Sequence, residues 1–292
     1  MSYVPVLILA HADDRLALRV YAALRARHGP EVAKIVSDEE LVFAPHWCHH
    51  INGEHVGTEI ELTDGTRLES DKIGVVLNRL RSVDKKHFAG SPDVDLRYAV
   101  METHALWLSW LASLPCPVIN PATPRGLSAP ERGEAEWMLL AGVAGLPTRG
   151  WQLSTNTRRF SNRDYVAQSV SSGFRKTEDD GDRSPLTVGR APSLFLEPVE
   201  DGPCVVNLAG ERVVGPLAGV WDQQLLALGK ASGCALLEVV FALKKEGVRS
   251  DPEDWRLCHA SGWVQGDGDA VIIAICDLLG AHAATAEPEE RR

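Results

Sequence analysis

The densest group of metal-ligand side chains in this 292-residue sequence is His46, Cys48, His49, His50 and His55. Zinc accepts these donor types, but a structural zinc site needs a further ligand pair at a regular spacing, and none follows. The run therefore reads as a polar loop or as partly buried imidazoles. A second candidate is SSGFRKTEDDGDRS, where small residues beside Arg175 and Lys176 suit a phosphate cradle. Glu178, Asp179, Asp180 and Asp182 in the same run repel that phosphate, so a solvated hairpin loop is the better reading. A third is Cys258-His259, a nucleophile beside a base. Neighbours on a strand point to opposite faces, which separates the two groups. Asn78 and Arg79 end the apolar run DKIGVVLNRL, where an open α/β sheet places its ligand crevice, and Asn120 ends the short run VIN. Asn78, Arg79 and Asn120 are the expected substrate or partner cleft.

These groups need elements to hold them. Val4–Ala10 is a continuous apolar run suited to a buried parallel strand, and LALRVYAALRARHG has helical spacing with Gly29-Pro30 as a stop. A short strand over Val32–Ile35 completes a β-α-β opening, so the class is α/β with a parallel sheet. TEIEL alternates like an antiparallel strand. Asp93–Leu114 reads as a long helix with Leu96, Val100, Ala105, Leu108 and Leu111 inward and Tyr98, Trp107 and Trp110 in packing roles. Glu134–Ala144 and Trp221–Lys230 read as helices, and Ala270–Leu279 as a closing one. Between the last two, GCALLEVVF and DWRLCHASGWVQ form a hairpin at the centre of a sheet.

Composition narrows the class. A formal charge of −10 and a pI near 5.5 exclude broad binding to nucleic acid or anionic membrane. The six cysteines are scattered without a CxxC pair, and they read as small buried hydrophobes of a reducing, cytoplasmic protein. The N-terminal apolar run lacks a basic flank and is too short for a membrane span.

In order along the chain, VVLNRL, DLRYAVMETHALWLSWLASLPCPVINP, GLSAP, EWMLLAGVAGLP and STN are followed by VAQSVSSGFR, PSLFLEPVEDG and VVNLAGERVVG. This series resembles the ATP-grasp superfamily over nearly the whole chain. It is most similar to the ribosomal-protein glutamate ligase and to microviridin-type peptide ligases. The resemblance implies an N-terminal parallel α/β domain (1–125) and two α+β subdomains (126–202 and 203–292), with ATP held between them. It also implies a homo-oligomer. The ATP-site positions it marks are Gln168, where relatives have a lysine, Arg175, and the hinge Glu197, Pro198 and Val199, whose backbone would hold adenine. Its magnesium positions are Val240, His259 and Ser261, where relatives carry carboxylates and an amide. An arginine near Pro203 or Cys204 is also missing.

Magnesium prefers hard oxygen ligands, so these replacements point to a catalytically impaired ATP-grasp-like protein. Such a protein would act as a peptide-, metabolite- or protein-binding scaffold, with ATP or ADP as candidate ligands and magnesium unsupported. The alternative is an active ATP-dependent carboxylate–amine ligase with displaced ligands. Glu238, Glu246, Asp251, Glu253 or Asp254 would then replace the metal ligands, and Lys176, Lys244 or Lys245 the phosphate lysine. Glu238 is expected on the strand face opposite Val240.

Overall fold

The computed structural model describes residues 3–53, 55–155, 193–200, 202–244 and 247–285, and the backbone of 166–169. The first strand, β1 (Val4–Ala10), is buried throughout from Val6 onward. Such a strand needs apolar cover on both faces and a paired neighbour on each edge. Asp14 caps the following helix, α1 (Arg15–His28), through Ala17 N–H. That helix crosses over to β2 (Ala33–Ser37), which pairs in parallel with β1. Ser37 and Glu40 then form a capping box that opens the short α2 (Asp38–Val42).

The histidine run is a strand, β3 (His46–Asn52), not a loop. It pairs with β4 (His55–Glu61), and β4 with β5 (Arg67–Glu69). Alternation explains it: Trp47 and His49 turn inward while His46, Cys48 and His50 are exposed. The Trp47 ring meets Trp110 edge-on at 5.3 Å. His49 sits between Thr58 Oγ1 and Ser109 Oγ, at 2.8 and 2.9 Å.

Next, β6 (Ile73–Arg79) returns to the parallel sheet beside β1. The helix α3 (Asp93–Ser113) buries Trp107, Trp110 and Leu111 against that sheet's core. Tyr98, expected in packing, is instead exposed in the helix's N-terminal half, as are Val94 and Met101. A short β7 (Val118–Ile119) completes the order β2-β1-β6-β7.

The second half opens with α4 (Glu134–Val143), whose Trp137, Met138 and Ala141 are buried. Three strands, β8 (Trp151–Ser154), β9 (Val166–Ser169) and β10 (Ser193–Leu196), form an antiparallel sheet with β10 central. The last sheet is built from β11 (Cys204–Ala209), β12 (Arg212–Val214), β13 (Leu236–Leu243) and β14 (Trp255–Ser261), in the order β12-β11-β13-β14. Between β12 and β13 runs α5 (Asp222–Ser232), ended by Gly233 at φ 70°. The α4 residues share a core with this sheet and α5, and Trp151 of β8 packs against the same core.

The closing helix, α6 (Asp269–Thr285), returns to the N-terminal sheet. Its Ile272, Ile275 and Leu279 join Val6, Ile8, Val20 and Leu77 in one core. The ion pairs Arg19–Asp269 and Arg27–Asp277 link α1 to α6 at the surface. Exposed pairs contribute about 0–1 kcal/mol each, so apolar burial holds this junction. Cys204, Cys234, Cys258 and Cys276 are buried and free, as expected of small hydrophobes. Among the described residues, no helix is long and apolar enough to cross a membrane.

Candidate functional site

The hairpin anticipated around VVFAL and LCHAS is present as β13 and β14, with Glu238 opposite Ser261 and Val240 opposite His259. A register shift follows Val240, so Phe241 pairs with Leu257 and Cys258 is skipped. Val239, Phe241 and Ala260 face the core below. Glu238, Val240, His259 and Ser261 are half-buried and share the other face.

This corrects the reading of Glu238. It stands two residues from Val240, and side chains repeat their face every second residue, so the two lie together. Glu238 Oε2 accepts from Gln265 N and Gly266 N, at 2.8 and 3.0 Å. The other proposed substitutes lie beyond the far end of the hairpin. Asp251 caps Glu253 N, and Asp254 accepts from Val248 N and pairs with Lys244. Lys244 is therefore committed to a carboxylate rather than open to a phosphate. Glu246 and Lys245 lie outside the described residues.

The sequence reading missed two charged residues beside β14: Arg149 acts on His259, and Arg149 and Glu134 both act on Cys258. Glu134 is the first residue of α4, where the helix dipole favours a carboxylate. It is buried, and burial pushes its pKa up. Its ion-pair partner is Arg149, at 3.5 Å, on the segment that follows α4. Arg149 is placed by its own N–H, which donates to Leu257 O on β14. Burial first, and the Arg149 charge second, hold the His259 pKa down at about 4. His259 is thus a neutral imidazole at pH 7. Burial also raises the Cys258 thiol, which removes it as a nucleophile near neutrality.

At the hinge, Glu197 N–H donates to Gly150 O and Glu197 Oε2 accepts from Gly150 N. Val199 bridges Lys244, and Glu200 N–H donates to Leu243 O. Glu197 and Pro198 are exposed. On β9, Gln168 pairs with Leu194 of β10, while Arg175 and the rest of its loop lie outside the described residues.

Asn78 and Asn120 are 1% exposed, and their amides face backbone rather than an open cleft. Asn78 Nδ2 donates to Leu127 O at 2.5 Å, and its Oδ1 accepts from Leu80 N. Asn120, at φ 55°, donates to Leu236 O and Gly262 O and accepts from Leu236 N. It ties β7 to the start of β13 and to the turn after β14. Arg79 is buried and bonds Asp14 through Nε at 2.6 Å. Among the described residues no three His, Cys, Asp or Glu side chains converge to hold an ion.

Two antiparallel sheets joined through an exposed hinge, behind an N-terminal parallel sheet, match solved structures over nearly the full length. The chain has the ATP-grasp fold. The macrocyclase MdnC of Microcystis aeruginosa MRC, bound with the precursor peptide MdnA, shares 17% identity at a TM-score of 0.69; the match covers 94% of this chain and 99% of that one. The ATP-grasp ligase PsnB, complexed with a precursor variant, Mg and ADP, shares 17% at 0.68 over 97% and 99%. A RiPP-associated ATP-grasp ligase of Chryseobacterium gregarium, with ADP and a leader and core peptide, shares 13% at 0.66 over 94% and 96%. No protein-family model and no curated protein matches the chain.

Proposed function

We propose that this chain is a peptide-binding protein built on a peptide-ligase fold, with its nucleotide chemistry impaired. The observation that carries the reading is the donor set on the β13–β14 face. Valine, a neutral histidine and a serine accompany a single carboxylate, Glu238, one oxygen of which already accepts from two backbone N–H groups. Magnesium takes several hard oxygen ligands and needs carboxylates to offset its charge. This set does not fit it. The buried Glu134 carboxylate also sits against Arg149, so the described cation beside that face is already balanced. Peptide binding is supported by the fold likeness to MdnC, PsnB and the Chryseobacterium ligase, whose structures contain precursor, leader or core peptides.

A second reading is an active ATP-dependent carboxylate–amine ligase. Glu238 favours it, because its carboxylate shares a face with Val240, His259 and Ser261, and so do the ADP and Mg bound by PsnB. Calorimetric titration with ATP, with and without magnesium, separates the two. Magnesium-dependent binding that disappears in Glu238→Gln would establish the second reading and end the first.

A further inference from the structure

The β3–β4 hairpin carries a set of donors that neither reading uses. As a strand, β3 turns His46, Cys48 and His50 to one exposed face and Trp47 and His49 to the other, where Thr58 and Ser109 already hold His49. The register sets β4 opposite: Glu61 stands across from His46, Glu59 across from Cys48 and Gly57 across from His50. The histidine run lacks a further ligand pair along the sequence, but the hairpin brings one in from the side.

Cys48, His50 and Glu59 thus occupy three corners of a quadrilateral, with Gly57 at the fourth. Residues two apart on a strand stand about 7 Å apart, and directly opposed Cβ atoms about 4.5–5.5 Å. Three donors at about 2.0–2.3 Å from one ion can close such a triangle. Their donor atoms do not converge in the structure. Cys48 and His50 are exposed and form no hydrogen bond or ion pair among the described residues, and the Glu59 contact with Arg67 is long, at 3.8 Å. Rotation of side chains is therefore all that closure requires. A Cβ added at Gly57 would meet nothing within 4 Å, so the fourth corner is open. The carboxylates on either side are committed elsewhere. Glu61 meets Arg67 Nε and Nη2, both at 2.9 Å, and Glu69, across from Glu59 on β5, pairs with Lys72.

We propose that Cys48, His50 and Glu59 bind a zinc ion, with one coordination position left open above Gly57. A thiolate and an imidazole select zinc over magnesium or calcium. The thiolate and the carboxylate together offset the two charges of the ion, and the Arg67–Glu61 pair beside them is neutral. Binding replaces the thiol proton, which leaves to water. Three protein ligands and one open position suit a zinc ion that holds a water or a donor group of a bound molecule, whereas a structural zinc is closed by four. The hairpin does not need the ion to fold, because β3 and β4 pair along seven residues each and pack inward through Trp47 and Ile60.

The test is titration of the reduced full chain with cobalt(II) alone, followed by zinc(II) as competitor. One equivalent of cobalt should give a saturable thiolate-to-cobalt charge-transfer band, and zinc should abolish it by displacement. Cys48→Ser should remove the band, and His50→Ala and Glu59→Gln should each weaken cobalt binding about tenfold or more. His46→Ala, His55→Ala and Cys116→Ser should leave the affinity within about threefold of the parent. The metal-free variants should melt with the parent, because the three ligands lie on the solvent face, and this separates loss of a ligand from loss of the fold. A missing band, a band that survives Cys48→Ser, or an affinity indifferent to either His50→Ala or Glu59→Gln would overturn the site. So would a His46→Ala or His55→Ala variant that weakens binding as much as His50→Ala does.

Discussion

Replacing Asn120 with alanine should be among the most damaging single changes in this chain. Its amide makes three hydrogen bonds, to Leu236 O at 2.8 Å, to Gly262 O at 2.7 Å and from Leu236 N at 2.9 Å. The two to Leu236 are buried and the one to Gly262 is part-buried, so truncation leaves those backbone groups without partners. At about 1 kcal/mol net per bond, plus the penalty of unsatisfied buried groups, the expected loss is about 3–5 kcal/mol. Asn120 also holds φ 55°, a region that costs alanine about 1 kcal/mol and glycine almost nothing. Asn120→Gly should therefore be about 1 kcal/mol less damaging than Asn120→Ala. By calorimetric melting, the alanine variant should unfold roughly 6–10 °C below the parent. The turn that carries Trp263 should loosen as well, visible as faster amide exchange at Gly262 and Trp263. An alanine variant within about 1 kcal/mol of the parent would refute the claim that Asn120 joins the N-terminal sheet to the β13–β14 hairpin.

Other expectations follow from named groups. His259 has a pKa held at about 4 against an unfolded value near 6.5, so its contribution to stability is complete above 6.5 and lost as pH falls toward 4. His259→Gln should flatten the melting temperature against pH in that window. Asp38 is buried, which raises its pKa, but hydrogen bonds from His11 and His87 outweigh burial and hold it at about 2. Its stabilisation is present above the unfolded value near 3.9 and is lost as pH falls through about 2, and Asp38→Asn should remove that limb of an acid titration. A Cβ on Gly229 would meet Leu208 Cδ2 at 2.5 Å, so Gly229→Ala should cost about 1–3 kcal/mol in denaturant unfolding by forcing α5 off β11.

Much of the fold is legible because its strands are apolar throughout. Val4–Ala10 and Ile73–Leu77 need cover on both faces, and only an interior parallel position supplies it. The strand β3 was not legible, since histidine and cysteine stand where apolar residues usually mark alternation. Only Trp47 and His49, two apart, hint at the inward face. Glu238 was misplaced by an error of parity rather than for want of a signal. Glu134 and Arg149 escaped notice for a different reason. A glutamate opening a helix normally answers the dipole, and an arginine in a loop normally faces water. Their burial depends on β14, more than a hundred residues later. The same distance hid Asn120, whose partners stand 116 and 142 residues away. A polar residue ending a strand looks the same whether it faces a cleft or pins two sheets together.

The central claim is that the cleft binds peptide while the magnesium-dependent nucleotide chemistry is impaired. Calorimetry of the full chain with ATP, in magnesium and in excess chelator, tests it most directly. The account predicts no magnesium-dependent heat and no difference between the parent and Glu238→Gln. Micromolar ATP binding that requires magnesium and is lost in Glu238→Gln would contradict it, and would show that the single carboxylate on the β13–β14 face is sufficient to hold the metal.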